Sequence, residues 1–162
     1  MNSLQVFLIG VLLCTVSMAQ AQKMVPEATV VNGAGESVDL VDYLSDGNPK
    51  IVSLWATWCG PCRMELNAIK KSYPRWKEKY NAEVVAISVD NPRMVDRAKK
   101  MFASNEWEYT FLFDQKQELM RKFGIRGIPF SIIVDGEGQI LSTQMGYSPG
   151  YEDMVEDKLK SM

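Results

Sequence analysis

Two cysteines separated by two residues, in the run Trp58-Cys59-Gly60-Pro61-Cys62, are the side chains of this sequence best suited to chemistry. They stand where an apolar run, Ile51 to Ala56 interrupted only by Ser53, gives way to a helical repeat that begins at Gly60. A thiolate at such a helix start faces unpaired backbone N–H groups and the positive end of the helix dipole, which lowers a thiol pKa from about 8.5 toward about 7 in motifs of this kind. Cys59 is therefore the expected nucleophile, exposed at the helix entrance. Cys62, buried and three residues on, is placed to resolve a mixed disulfide. Pro61 stiffens the first turn, and Gly60 leaves room for a substrate backbone.

Other uses of the pair meet obstacles in the sequence. The chain contains no histidine, which removes Ser-His-Asp and Cys-His catalysis, imidazole zinc sites and histidine-ligated haem. Zinc needs four ligands, and one Cys-x-x-Cys supplies two. Haem attachment needs a histidine directly after the second cysteine, where this chain has Arg63. A purely structural disulfide with a two-residue spacer closes a very small loop and stabilises little. No metal and no cofactor beyond a redox-active Cys59–Cys62 disulfide is expected. Eighteen Lys and Arg against twenty Asp and Glu give a net charge of −2, so the basic footprint of a nucleic-acid binder is missing.

The elements that must position the cysteines follow from periodicity. The chain has 162 residues, 46% of them hydrophobic and 23% charged, which suits one globular domain. Glu27 to Asn32 and Glu36 to Leu40 flank Gly33-Ala34-Gly35 as a hairpin, and Asp39 or Asp42 caps a helical turn reaching Leu44. After the motif, Cys62, Leu66, Ile69, Tyr73, Trp76 and Tyr80 recur at helical spacing, with Pro74 as a kink. Glu83 to Val89 reads as a second buried strand, and Asn91-Pro92 opens a helix ending near Ser104. Tyr109 to Phe113 is a strand, Gln115 to Phe123 a short helix, and Phe130 to Val134 a third buried run. A turn at 135–138 leads to a return strand, Gln139 to Met145, and Ser148-Pro149 opens a final helix. Trp55 and Trp107 read as packing residues. The alternation gives an α/β sheet, mostly parallel with an antiparallel edge.

The N-terminus reads differently. Leu4 to Val16 is a predominantly apolar run broken by Gln5 and Gly10, and Ser17-Met18-Ala19-Gln20-Ala21 follows, the pattern of a secretory h-region with cleavage after Ala21. The division is a signal peptide over 1–21 and a folded domain over 22–162, with an uncleaved membrane anchor as the rival. The first 22 residues carry no Lys or Arg, a departure from the usual leader. Cys14 falls inside the leader, and the mature chain keeps two cysteines.

From about residue 25 to 160 the sequence resembles the thioredoxin superfamily, and within it the exported TlpA-like and ResA-like thiol-disulfide oxidoreductases. The resemblance rests on Trp-Cys-Gly-Pro-Cys, on Gly124-Ile125-Arg126-Gly127-Ile128-Pro129, and on the order of the elements between them. It implies a thioredoxin fold: a central mixed sheet flanked by helices, with an N-terminal hairpin and a helix-strand insertion between Val89 and Gly124. It also implies a cis peptide at Ile128-Pro129 and a substrate lying across Trp58, Gly60, Pro61, Gly127, Ile128 and Pro129. Arg63-Met64-Glu65 resembles the same branch, in which a glutamate lies near the cysteines. Ser53 stands where thioredoxins carry a buried aspartate, which leaves Glu65 as the replacement acid or, alternatively, as an exposed first-turn residue favourable to the dipole.

The resemblance implies reduction of disulfide-bearing proteins outside the cytoplasm, in a bacterial periplasm, by a monomer recharged from a membrane or periplasmic electron donor. Some TlpA-like relatives point to haem-binding Cys-x-x-Cys-His proteins and cytochrome c maturation. An oxidase or isomerase of exported proteins, and a redox-inactive peptide-binding module, are the competing readings.

Overall fold

In the computed structural model, which describes residues 23–162, the apolar runs become the middle of a seven-stranded sheet. The expected leader, 1–21, lies outside the described residues. The strands are β1 (Thr29–Asn32), β2 (Ser37–Asp39), β3 (Lys50–Trp55), β4 (Glu83–Ser88), β5 (Thr110–Phe113), β6 (Phe130–Val134) and β7 (Ile140–Met145), in the order β2-β1-β5-β4-β3-β6-β7. Among the described residues four α-helices lie between strands, α1 (Leu40–Leu44), α2 (Gly60–Tyr80), α3 (Val95–Ser104) and α4 (Glu118–Phe123), and α5 (Tyr151–Lys160) follows the last strand. This is the mixed α/β sheet that the resemblance implies.

The sheet is less parallel than the alternation of elements predicts. Only β3–β4 and β4–β5 pair in parallel, whereas β3–β6, β6–β7, β1–β5 and β1–β2 are antiparallel. The reason lies in the connections. The N-terminal hairpin docks on the inserted strand, with Val31 opposite Phe113, and β6 returns beside β3 after the loop that holds Pro129. Antiparallel strands thus flank the parallel core on both sides.

Local chemistry sets the ends of the elements. Asp39, rather than Asp42, caps α1 by accepting from Val41 N and Asp42 N. Asn91 accepts from Arg93 N and starts a 3₁₀ turn, Pro92–Met94, that runs into α3. α4 begins at Glu118, three residues later than the periodicity predicts, because the Asp114 carboxylate takes the N–H groups of Glu118 and Leu119. α5 begins at Tyr151, preceded by Gly150 at φ 91°, a left-handed conformation that glycine adopts without strain. α2 passes through Pro74 without a break and ends at Asn81, which is left-handed.

β3 and β4 are covered on both faces and Val84, Val85, Ala86 and Ile87 are fully buried, as continuous apolar runs require. The insertion joins the core through aromatic contacts. Trp107 meets Trp55 edge-on at 5.4 Å, and Phe102 stacks on Phe111 at 4.3 Å between centroids. Burying each such ring contributes on the order of 2–3 kcal/mol. Trp55 and Trp107 are packing residues, and the Trp107 indole donates to Asn67 Oδ1 at 2.9 Å. α2 and α5 pack together, so that residues on the first turns of α2 come to lie among β3, β6 and α5.

Candidate active site

The site is assembled where β3 ends. Cys59 N donates to Ala56 O at 3.0 Å, closing a turn that hands the chain from strand to helix. Cys59 is then the N-cap of α2, with Pro61 in the first turn, and its Sγ accepts the N–H of Cys62 at 3.2 Å. The structure holds Cys59 and Cys62 as a disulfide, with Cα atoms 5.3 Å apart. Cys59 Sγ lies 3.7 Å from the carbonyl oxygen of Ile128, and the Ile128–Pro129 peptide bond is cis, as the resemblance implies.

The expected contrast in exposure is smaller than anticipated. Cys62 is fully buried, but Cys59 is also only 5% exposed, because its sulfur is bonded to Cys62 and faces the Ile128 carbonyl. The surface beside it belongs to Trp58, which is 67% exposed. Around the pair the chain is open. A Cβ built on Gly60 or on Gly127 would meet nothing within 4 Å, and Pro61 is exposed. Two further exposed apolar side chains, Met64 and Met145, belong to the same end of the sheet, Met145 being paired with Phe130 next to Pro129.

Glu65 is not an exposed first-turn residue. Its place on α2, three residues after Cys62, turns it inward, and it is fully buried. Ser53 on β3 and Ser131 on β6 are directly opposed across the antiparallel pair. Both hydroxyls donate to Glu65 Oε1, Ser53 at 2.8 Å. Glu65 Oε2 has no hydrogen-bond partner among the described residues. Burial raises the Glu65 pKa above its ordinary value, and the two serine hydrogen bonds only partly oppose this. An ionised carboxylate with one undonated buried oxygen is costly, so the environment favours the protonated acid. Tyr151 on α5 brings a buried hydroxyl to the same cluster, and burial, followed by the Glu65 charge, raises its pKa.

A second polar cluster holds the loop that precedes Cys59. Asp90, two residues past the end of β4 and nearly inaccessible, accepts from Thr57 N at 2.8 Å, Thr57 Oγ1 at 3.0 Å and Ser88 Oγ at 2.9 Å. The sequence reading missed Ser131, Tyr151 and Asp90. A signal existed for the first and last: Ser131 interrupts the apolar run of β6, and Ser88 and Asp90 close that of β4, so each needed a buried partner.

No group of three or more potential ligands that could hold a metal occurs among the described residues. No helix among them is long and apolar enough to cross a membrane.

A family model described as the AhpC/TSA family matches residues 21–143. The thiol-disulfide oxidoreductase ResA of Bacillus thuringiensis subsp. konkukian is 26% identical over 141 residues, covering 86% of this chain and 77% of that protein. The thiol:disulfide interchange protein HelX of Rhodobacter capsulatus is 32% identical over 121 residues, covering 72% of this chain and 61% of that protein. Among solved structures, an uncharacterized thioredoxin-like protein of Porphyromonas gingivalis superposes with a TM-score of 0.76 at 31% identity, over 85% of this chain and 90% of that one.

Proposed function

The chain belongs to the AhpC/TSA family, and from that premise, with thiol-disulfide oxidoreductases among its relatives, we propose that it is an extracytoplasmic protein-disulfide reductase. In the reduced protein the Cys59 thiolate attacks one sulfur of a substrate disulfide, forming a mixed disulfide and expelling the other substrate sulfur as a thiolate. Cys62 gives its proton to Glu65 in the fraction of molecules in which that carboxyl is ionised, then attacks Cys59 Sγ, and Glu65 returns the proton to the medium. The Cys59–Cys62 disulfide forms and the second substrate thiolate leaves, taking a proton from the medium. Two electrons have moved to the substrate, and a dithiol donor of the envelope returns them.

The observation that carries this reading is the position of Cys59 Sγ. It is at the N-cap of α2, accepting the Cys62 N–H at 3.2 Å, beside a backbone carbonyl at 3.7 Å that an extended substrate strand would flank. Glu65 supplies a buried acid whose raised pKa suits proton exchange with a thiol. Trp58, Gly60, Pro61, Gly127, Ile128 and Pro129 form the surface against which the substrate lies. Reduction is favoured over oxidation because the Gly-Pro spacer resembles that of reducing thioredoxins, near about −270 mV, and not the about −120 mV of a strong oxidase; the gap is about 7 kcal/mol for two electrons. The apolar leader over 4–16 supports export, and haem-binding Cys-x-x-Cys-His proteins are one class of substrate that the resemblance suggests.

Equilibration of the full chain against graded thiol-disulfide buffers, with the reduced fraction read by alkylation, tests the direction. A midpoint below about −220 mV is expected. A midpoint above about −150 mV would make the protein an oxidase or isomerase.

A further inference from the structure

Next to the disulfide, the first turns of α2 and one face of α3 border an open groove of about 800 Å³. It begins at Gly60 and Pro61, the two residues between the cysteines, and runs beside α3 as far as Asn105. Three cations line it, Arg63 from α2 and Arg97 and Lys100 from α3, together with Met64 and Met101. No carboxylate lines it. Nor does any of the three cations form an ion pair among the described residues.

This is unusual for a chain with more acidic than basic residues, 20 against 18. Arg97 and Lys100 are three residues apart and therefore share a helical face, and Arg63 approaches from the opposite wall. Three like charges around one concavity repel each other, and an anion entering it would relieve that repulsion. The lining selects among anions: an open groove between two helices lets an extended chain lie along it, and the methionines beside the cations suit a polypeptide that carries apolar as well as acidic side chains. The net negative charge of the whole protein also disfavours nonspecific attraction to a polyanion.

We propose that the groove receives an acidic segment of the disulfide-bearing polypeptide on which the site acts. The proposal rests on the reading of Cys59–Cys62 as a protein-disulfide exchanger. From Arg97 to Ser104 the α3 wall is about 10 Å long, or about three residues of extended chain. The preferred substrate therefore carries its carboxylates within about three to five residues of the attacked cysteine, interspersed with apolar side chains that meet Met64 and Met101.

The test compares two peptides that differ only in replacing several Asp and Glu by Asn and Gln. Binding of disulfide-free forms to the full-length protein is followed by anisotropy at about 0.02 M and about 0.3 M salt. Matched disulfide-bearing forms give the ratio of reduction rates, acidic over neutral. The acidic peptide should bind and react about tenfold better at low salt, with the advantage shrinking at high salt. The exposed double substitution Arg97→Glu/Lys100→Glu should reduce both ratios to about one, and Arg63→Glu on the other wall should lower them independently. Equal binding of the two peptides, or an advantage retained in both variants, overturns the proposal. So does charge-dependent binding to phosphatidylglycerol vesicles without a preference between the peptides, which would make the groove a lipid contact. If neither disulfide peptide is reduced but the acidic one still binds through Arg97 and Lys100, the exchange reading fails and the groove stands; reduction without charge preference gives the reverse.

Discussion

Replacing Glu65 by Gln should make the variant progressively more stable relative to the parent as pH rises. Burial lifts the folded-state pKa of Glu65 above its ordinary 4.5, so between those two values the folded protein keeps a proton that the unfolded chain has lost. Stability of the parent therefore falls as pH rises through that window, by up to about 1.4 kcal/mol per pH unit, and levels off above the folded-state pKa. The variant carries no such group. Below the window both side chains are neutral, and the swap costs about 1 kcal/mol or less, because the amide oxygen still accepts from Ser53 and Ser131. Urea unfolding of the two disulfide-form proteins from about pH 4 to about pH 8 measures the difference without interference from titrating thiols. In the reduced proteins, turnover of the variant should fall by about 10²-fold or more and lose its dependence on the Glu65 proton. A stability gap that stays constant with pH would refute the raised pKa, and an unaltered rate profile would remove Glu65 from proton transfer.

Brief iodoacetamide treatment of the reduced protein, followed by peptide mass mapping, should place most of the label on Cys59, since Cys62 is fully buried and only Cys59 stands at the helix start. Trp58→Ala should change stability by less than about 0.5 kcal/mol, as the ring is 67% exposed, while lowering kcat/KM for a protein disulfide more than for a small one; equal losses would deny Trp58 a contact with the polypeptide. Asp90→Ala strands the Thr57 N–H, the Thr57 hydroxyl and the Ser88 hydroxyl in a buried site, so urea unfolding should show a loss of about 3 kcal/mol or more. A loss under about 1 kcal/mol would mean that water replaces the carboxylate there.

The parts of the site that were legible from the sequence are local. The strand that ends at Trp55, the cysteine at the N-cap and the proline in the first turn are all dictated within about a dozen residues, and Gly127-Ile128-Pro129 follows from its resemblance. Glu65 was ambiguous because its exposure depends on β6 and α5, elements far along the chain that close over the first turns of α2. Pairing of Ser53 with Ser131 depends on the register of β3 against β6, a long-range choice that apolar runs do not encode. The sheet is less parallel than the order of its elements predicts for the same reason. The alternation of strands and helices predicts crossovers, but where the N-terminal hairpin docks is decided by β5, whose edge accepts β1. The position of Cys59 at the helix entrance predicts an exposed thiol; its disulfide to Cys62 and the neighbouring Ile128 carbonyl cover it instead.

Trapping the covalent intermediate tests the division of labour between the cysteines most directly. The reduced Cys62→Ala protein, mixed with a disulfide-bearing peptide without added reductant, should accumulate a mixed disulfide that mass mapping places on Cys59, because the resolving thiol is gone. Cys59→Ala under the same conditions should form no such adduct. An adduct on Cys62 in the Cys59→Ala protein, at a rate equal to that seen on Cys59, would contradict the account.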